Sequence, residues 1–204
     1  MSKRPGAVPE ETRSRILAAA GDEFAAFGFQ GSSLRRICTA AGVTTGALYF
    51  FFQGKDDLFR TLIAQVTEPF DRLILEHYQA ERSSPDRESE QGADADFEVS
   101  RLLIDQYFAN RQTWDILVQH LSYPAVREFL DRFIDVSTEH YVYLLEREPH
   151  RPSVDRFAIH QFVHMQVDTM LTLISHGFDR EAMLVHSKTV IRMLRGAFHA
   201  LLAE

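Results

Sequence analysis

The chain has little cysteine and no long apolar run, and each shortage excludes a class of protein. Cys38 is the only cysteine among 204 residues, so an internal disulfide is impossible and a reducing compartment is expected. No apolar run approaches the roughly 18 residues that a membrane span requires. Residues 1–5 are basic but lack the apolar core of a signal peptide. We therefore expect a cytoplasmic protein with no membrane partner.

Strand-like alternation, internal repeats and nucleotide-binding glycine motifs are also missing, and this predicts an all-α fold of about nine helices. No nucleophile–base pair or full set of metal ligands is visible, so we predict neither an enzyme nor a bound cofactor. His160 and His164 lie four residues apart on one helix face, a spacing that can hold a metal. A pair of ligands is a weak signal, and histidines that line a pocket or a helix surface are the more frequent case.

Charge is distributed unevenly along the chain. The net charge is −7, but residues 1–60 have a formal charge of +2 and residues 61–204 one of −9. Such an asymmetry is typical of a nucleic-acid-facing domain attached to an acidic body.

The stretch Ser33–Phe52, SLRRICTAAGVTTGALYFFF, predicts two short helices around a glycine turn. Apolar residues of the first helix fall at i, i+3, i+4 and i+7: Leu34, Ile37, Cys38 and Ala41. Gly42 can adopt the left-handed conformation that a tight turn needs, and Thr44 lies where its hydroxyl would cap the next helix. This arrangement is a helix-turn-helix unit, whose second helix enters the DNA major groove.

The surrounding residues resemble the amino-terminal domain of the TetR family of transcriptional regulators. The matching positions lie between Arg13 and Leu62: Ile16–Ala20, Phe24, Phe27–Phe29, Ser33, Arg35, Ile37, Ala41–Thr44, Gly46, Leu48, Tyr49, Phe52, Lys55 and Leu58. They cover about a quarter of the chain. The resemblance implies a three-helix DNA-binding domain over residues 1–57, and a larger helical domain for effector binding and dimerisation over residues 58–204.

Ten residues are predicted to contact DNA: Ser32, Ser33, Arg35, Arg36, Thr44, Thr45, Ala47, Tyr49, Phe50 and Lys55. The hydroxyl groups of Thr44 and Tyr49, at the second helix of the helix-turn-helix unit, suit phosphate oxygens. The resemblance implies that Lys55 binds a phosphate as well. Thr45 and Phe50 depart from the family pattern, which often has lysine and a polar residue there. Without Arg, Lys, Asn or Gln on this helix, bidentate base contacts are impossible, and thymine methyl groups become the direct route to base recognition.

Several of these residues have alternative interpretations. Phe50 could instead pack against helix 1 or helix 2 of the chain, and Arg36 could be a solvated charge. Ser32 and Ser33 could cap helix 2 of the chain as well as bind a phosphate. The arm of residues 1–8 could reach a minor groove or remain a solvated terminus.

The body of the chain predicts further helices separated by polar segments. Helix 1 is expected to bury a stripe that includes Phe27 and to end at Gly28. Pro69 predicts a kink or a break in helix 4. Residues 80–96 contain no aromatic or branched aliphatic side chain and predict a flexible loop. The last two helices, 153–176 and 180–203, are apolar on more than one face, which predicts a homodimer formed through them.

Together these features predict a ligand-responsive transcriptional regulator. In the body, an apolar pocket for a small apolar or aromatic effector is predicted from its aromatic and methionine residues: Trp114, Phe133, Tyr141, Phe162 and Met165. The effector would release a repressor from a palindromic double-stranded DNA operator. The alternative is a partner-binding regulator with weak or no DNA affinity.

Overall fold

The computed structural model describes residues 7–83, 90–147 and 155–202, and within these ranges the protein consists of nine α-helices without a strand. The helices are α1 (Ala7–Gly31), α2 (Leu34–Ala41), α3 (Thr45–Phe51), α4 (Lys55–Ser83), α5 (Glu90–Ala109), α6 (Arg111–Gln119), α7 (Pro124–Leu145), α8 (Arg156–Ser175) and α9 (Arg180–Leu202). The predicted all-α fold is confirmed. None of these helices combines the length and apolar character that a membrane crossing requires.

The helices divide into two compact units. Unit 1 takes residues up to 68 together with 110–126, and unit 2 takes residues 69–109 together with 127 onwards. The division at 68/69 lies within α4, so this helix contributes to both units. The predicted functional boundary at 57/58 stays a prediction.

Pro69 lies inside α4, and of the predicted kink or break the break is wrong because the helix continues through Pro69. Proline removes one backbone donor and crowds the preceding turn, which costs about 3 kcal/mol in a helix interior. The apolar stripe nevertheless continues on both sides, with Val66 and Phe70 both buried. Burying each such side chain stabilises by about 1.5–3 kcal/mol, which is enough to offset the proline.

The predicted loop at 80–96 is also largely wrong. Residues 80–83 extend α4 and residues 90–96 begin α5, while residues 84–89 lie outside the described ranges. Alanine, glutamate and arginine make up about half of the segment, and these residues favour helix. Asp96 is moreover held by an ion pair with Arg195 of α9. The predicted arm at 1–8 lies mostly outside the described residues, as do the prolines at 149 and 152.

The core of unit 1 is built from aromatic and aliphatic residues of its helices. Phe24 of α1 packs edge-on against Phe59 of α4, with ring centroids 5.3 Å apart, and both rings are fully buried. Phe27, predicted to be buried, is exposed instead. The backbone at Gly28 leaves the helical conformation (φ 64°, ψ 175°), and Phe29 takes the inward position, stacked on Phe24 at 5.9 Å.

Unit 2 has its own core between α7 and α8. Ile134 packs with Val163 and Val167, and all three are buried. Partly buried side chains surround them: Leu130, Phe133, Tyr141 and Leu171. Because Phe133 and Tyr141 also face a cavity, the core of this unit continues into the wall of that cavity.

Candidate functional site

The turn between α2 and α3 has the predicted geometry. Gly42 is left-handed (φ 64°, ψ 39°), and its N–H donates to the carbonyl of Thr39 at 3.2 Å. The next residue, Val43, donates to the carbonyl of Cys38 at 3.0 Å, so the last carbonyls of α2 are satisfied. Thr44 is the N-cap of α3, and its hydroxyl oxygen accepts from the Ala47 N–H at 3.1 Å. Cys38 is buried in the packed face of α2.

The outer face of α3 is apolar and open to solvent. Phe50 is 78% exposed and contacts the ring of Phe51 edge-on at 4.9 Å, which excludes the alternative of packing against α1 or α2. Thr45 and Tyr49 are also exposed, whereas Leu48 on the opposite face is fully buried. The buried side anchors the helix, so the exposed side chains can meet a partner molecule.

The amino-terminal end of α2 is held by a residue of α1 that no local pattern in the sequence indicates. Ser33 is the N-cap, but its side chain makes no capping hydrogen bond. Its backbone N–H donates instead to Glu23 Oε1 of α1 at 2.8 Å. The hydroxyl of the buried Ser32 donates to the carbonyl of Phe29 at 2.7 Å. The predicted capping by the serine side chains is therefore wrong: the Ser33 side chain makes no capping bond, and the Ser32 hydroxyl is directed to the carbonyl of Phe29.

The same carboxylate holds Arg36. The guanidinium donates to Glu23 Oε1 at 2.8 Å and to the carbonyl of Gly31 at 2.7 Å, and it lies 4.4 Å from the ring centroid of Phe27. Burial by itself would raise the pKa of Glu23, but the bonds from Arg36 and the Ser33 amide outweigh it and leave this pKa lowered. Arg36 thus links α2 to α1.

Lys55 occupies the carboxyl-terminal end of α1. Its ammonium donates to the carbonyls of Phe29 at 2.7 Å and Ser32 at 3.2 Å, with Gln30 at 3.4 Å, and it lies 4.6 Å from the Phe29 ring centroid. A cation at this end of a helix is favoured by the helix dipole. As DNA contacts, Lys55, Arg36 and Ser32 stay predictions, and their partners within the chain give each a structural role.

A segment far along the chain completes unit 1, and the sequence reasoning missed it. His120, at the end of α6, accepts a hydrogen bond from the Phe29 N–H at Nε2, 3.0 Å away. Since Phe29 N–H can only donate, Nε2 carries no proton, and Nδ1–H donates to the carbonyl of Ile116 at 2.6 Å. The break at Gly28 removes the helical acceptor of that N–H, and His120 replaces it. Its separation of 91 residues from Phe29 left no local signal to find it by.

Tyr123 follows in the same segment. Its hydroxyl donates to Asp56 Oδ1 of α4 at 2.5 Å, and its ring centroid lies 4.4 Å from that of Phe29 and 4.7 Å from that of Phe59. The bond from Tyr123 is the main reason why the pKa of Asp56 is lowered. The segment therefore contacts both α1 and α4 close to the helix-turn-helix unit.

Unit 2 contains a cavity of about 200 Å³. Three of the predicted effector residues line it: Phe133, Tyr141 and Phe162. The other two do not. Trp114 is buried in unit 1 on α6, and Met165 points away from the cavity wall, with 47% of its side-chain surface exposed. Helical spacing alone cannot tell which face of α8 meets the core and which meets solvent, and this is why Met165 was misplaced.

The two histidines of α8 lie close together. His160 Nε2 and His164 Nε2 are 3.1 Å apart, and both side chains are half-buried. In the parts of the chain that the structure describes, no group of three or more His, Cys, Asp or Glu side chains could hold a metal. One imidazole donating to the other accounts for this distance.

Comparison with known proteins adds a family to this geometry. The tetR family of bacterial regulatory proteins matches the chain over residues 16–62. The HTH-type transcriptional repressor BepR of Brucella suis is 36% identical over 83 residues, which cover 41% of this chain and 40% of BepR. The chain thus spans about two fifths of the length of this curated relative.

Solved structures show the same fold over nearly the whole chain. GusR of Salmonella enterica aligns with a TM-score of 0.67 and 22% identity over 100% of both chains. A TetR-like transcriptional regulator from Rhodococcus sp. RHA1 aligns with a TM-score of 0.63 and 18% identity, covering 97% of this chain and 99% of that one. The family match contains the complete helix-turn-helix unit, so over residues 16–62 this chain is similar to the tetR family of bacterial regulatory proteins.

Proposed function

We propose that the protein is a homodimeric, ligand-responsive DNA-binding transcriptional regulator that represses from a palindromic operator. The observation that carries this proposal is the open face of α3, which is held in place by its buried side within the family-matched segment. A helix presented in this way fits the major groove of B-form DNA. The BepR name, a transcriptional repressor, supports repression as the output.

The exposed and half-buried residues of this surface have complementary roles in the proposal. The hydroxyl of Thr44 uses an oxygen lone pair for the cap, and its O–H remains to donate to a phosphate. Arg35 and Tyr49 are exposed and supply further donors to the DNA backbone, together with Ser33. Thr45, Ala47 and Phe50 would contact thymine methyl groups, because α3 carries no side chain for bidentate hydrogen bonds to bases.

The homodimer is supported by exposed apolar side chains on the last two helices. Phe157 of α8 is 66% exposed and Met193 of α9 is 68% exposed. Each has an exposed apolar neighbour eight residues away on its own helix, Met165 and Val185 respectively. Positions i and i+8 share one side of a helix, so each helix presents an apolar stripe that a second copy would cover.

Ligand response would use the parts of the chain that are shared between the units. α4 contributes to both, and the segment 110–126 joins unit 1 from within the sequence of unit 2. An effector in the cavity would favour a position of α4 that misplaces the two α3 helices of the dimer. It would do so only to the extent that it binds this state better than the DNA-competent state.

The test is binding of the purified protein to its own upstream DNA, titrated with salt and with unlabelled competitor. We expect specific binding at moderate salt and a steep decrease in affinity with salt concentration. Arg35→Ala should reduce the salt slope by about 1, as the loss of one phosphate contact does. The exposed Arg127 provides the matched control, since Arg127→Ala removes the same charge at a residue that is not among the predicted DNA contacts.

The alternative function is a partner-binding regulator with weak or no DNA affinity. It is favoured by the same exposed ring of Phe50 on a helix without basic or amide side chains, because aromatic residues are enriched in protein interfaces. Weak binding that is equal for any DNA sequence would select this alternative.

A further inference from the structure

The cavity in unit 2 has one aromatic side. The ring centroid of Tyr141 lies 5.1 Å from that of Phe162 and 5.1 Å from that of Phe198. Phe162 and Phe198 are 5.7 Å apart, so the three rings form one cluster on α7, α8 and α9. An apolar or aromatic group of a ligand would bury its surface against these rings, and their faces also attract cations.

The wall of the cavity also contains ionic side chains, and one of its carboxylates is already neutralised. Asp96 pairs with Arg195 at 2.5 Å and with His77 at 3.2 Å. Among the described residues that line the cavity, Arg195 is the one arginine or lysine, and its charge is compensated by Asp96. A ligand carboxylate would therefore have to compete with Asp96 for it.

The second carboxylate of the wall, Glu81, is paired with a neutral group. Its Oε2 lies 2.8 Å from His140 Nε2, and the side chain of Glu81 is 19% exposed. Arg82 Nε donates to His140 Nδ1 at 3.2 Å, and an arginine can only donate, so Nδ1 carries no proton and Nε2–H donates to Glu81. His140 is fully buried and stacks on Tyr78 with ring centroids 3.8 Å apart.

The neighbouring groups keep this imidazole neutral. Burial lowers the pKa of His140, and the charge of Arg82 lowers it further, against the opposing effect of Glu81. A neutral histidine orients the carboxylate of Glu81 but does not cancel its charge. Arg82 binds the far nitrogen of the ring, and its guanidinium lies 4.5 Å from the ring centroid of Tyr143. Glu81 thus presents a negative charge to a partly desolvated cavity.

We propose that the effector is an amphipathic cation, with an apolar or aromatic body against Tyr141, Phe162 and Phe198 and a protonated amine paired with Glu81. This inference rests on the proposed function, because it names the chemical class of the ligand to which that regulator responds. An anionic head of the same shape is disfavoured, since it would meet Glu81 without a compensating charge.

Three probes with one body and different heads test the charge directly: 4-phenylbutylammonium, 4-phenylbutan-1-ol and 4-phenylbutanoate. Binding to the full chain is measured by isothermal titration calorimetry at neutral pH without DNA. We expect the ammonium to bind at least about tenfold more tightly than the alcohol, and the carboxylate to bind most weakly.

Glu81→Gln removes the charge but keeps an oxygen that can accept from His140. It should reduce the affinity for the ammonium to about that for the alcohol and leave the alcohol unchanged. Glu76→Gln is the matched control, because Glu76 is an exposed carboxylate on the same helix and does not line the cavity. It should leave all three affinities unchanged.

The inference is overturned if the carboxylate binds most tightly, if the affinities do not depend on the head group, or if Glu81→Gln and Glu76→Gln have equal effects. Absence of binding by all three probes at millimolar concentration overturns it as well. Failure of the proposed function is distinguishable. A protein that binds the ammonium but no DNA retains the cation site and loses the role as a DNA-binding regulator, and one that binds DNA but no probe does the reverse.

Discussion

The hydrogen bond between His120 and the Phe29 N–H offers a direct test of how the segment 110–126 supports the helix-turn-helix unit. His120→Ala removes the acceptor of that N–H, the donor to the Ile116 carbonyl, and the ring that lies 5.6 Å from Phe59. Gly28 prevents a helical acceptor from replacing it, because the backbone there is not helical. The N–H is left with partial access to water at best.

The expected magnitude follows from this geometry. Leaving a buried donor unsatisfied costs about 1–3 kcal/mol of folding free energy. Because His120 is only half-buried, we expect a cost in the lower part of this range, about 1–2 kcal/mol. For a chain of 204 residues each kcal/mol lowers the Tm by about 2–4 °C, so His120→Ala should lower the Tm by about 2–8 °C. Operator affinity should fall too, because Lys55 binds the carbonyl of the same Phe29.

Thermal unfolding followed by circular dichroism at pH 7.5 provides the measurement, with His120→Gln as the control. The carboxamide oxygen of glutamine can reach the position of Nε2 and accept from Phe29 N–H, so this variant should retain at least half of the lost stability. The reasoning is refuted if the alanine variant keeps the Tm of the parent protein, or if both variants lose the same amount.

Four further predictions concern stability at low pH, recognition of bases, the contact of Lys55 with α1, and the dimer. The pKa of Glu23 is lowered in the folded state, so its stabilisation is present above the ordinary value of about 4.3 and is lost as the pH falls through the folded-state value. Glu23→Gln should therefore destabilise by about 1 kcal/mol at pH 7 and flatten the loss of stability below about pH 4, as measured by urea midpoints from pH 3 to 7. Replacing operator thymines by deoxyuridine removes only the methyl groups and should weaken parent binding by about fourfold per buried methyl, an effect that Phe50→Ala should reduce in gel shifts, with the contacts of Thr45 and Ala47 remaining. Lys55→Ala should lower the Tm, since its ammonium binds carbonyls of α1, and should lower the operator affinity; a salt slope reduced by about 1 would establish the predicted phosphate contact, and an unchanged slope would leave Lys55 the structural role alone. Met193→Glu places a charge in the apolar stripe of α9 and should shift sedimentation velocity from dimer to monomer; a persistent dimer would exclude this surface as the interface.

Much of the fold could be predicted because its signals are local. Hydrophobic spacing located the nine helices of the described ranges, and the turn between α2 and α3 follows from two residues whose conformations are limited by their own chemistry. Gly42 has no Cβ and adopts φ 64°, and Thr44 has a hydroxyl within reach of the first free amides of α3. The break predicted at Pro69 failed because burial outweighed local propensity, and the helix continues through the proline.

The sequence by itself determined the helix-turn-helix unit, the all-α class and the aromatic character of the body, since each depends on residues a few positions apart. Only the tertiary structure decided which side chains cooperate across distant segments. It assigned Glu23 to the amino end of α2, joined His120 to Phe29 over 91 residues, and placed Glu81 beside a neutral His140. These contacts depend on where complete helices pack, and packing is set by the sum of many buried surfaces, for which no short stretch of sequence carries a signal.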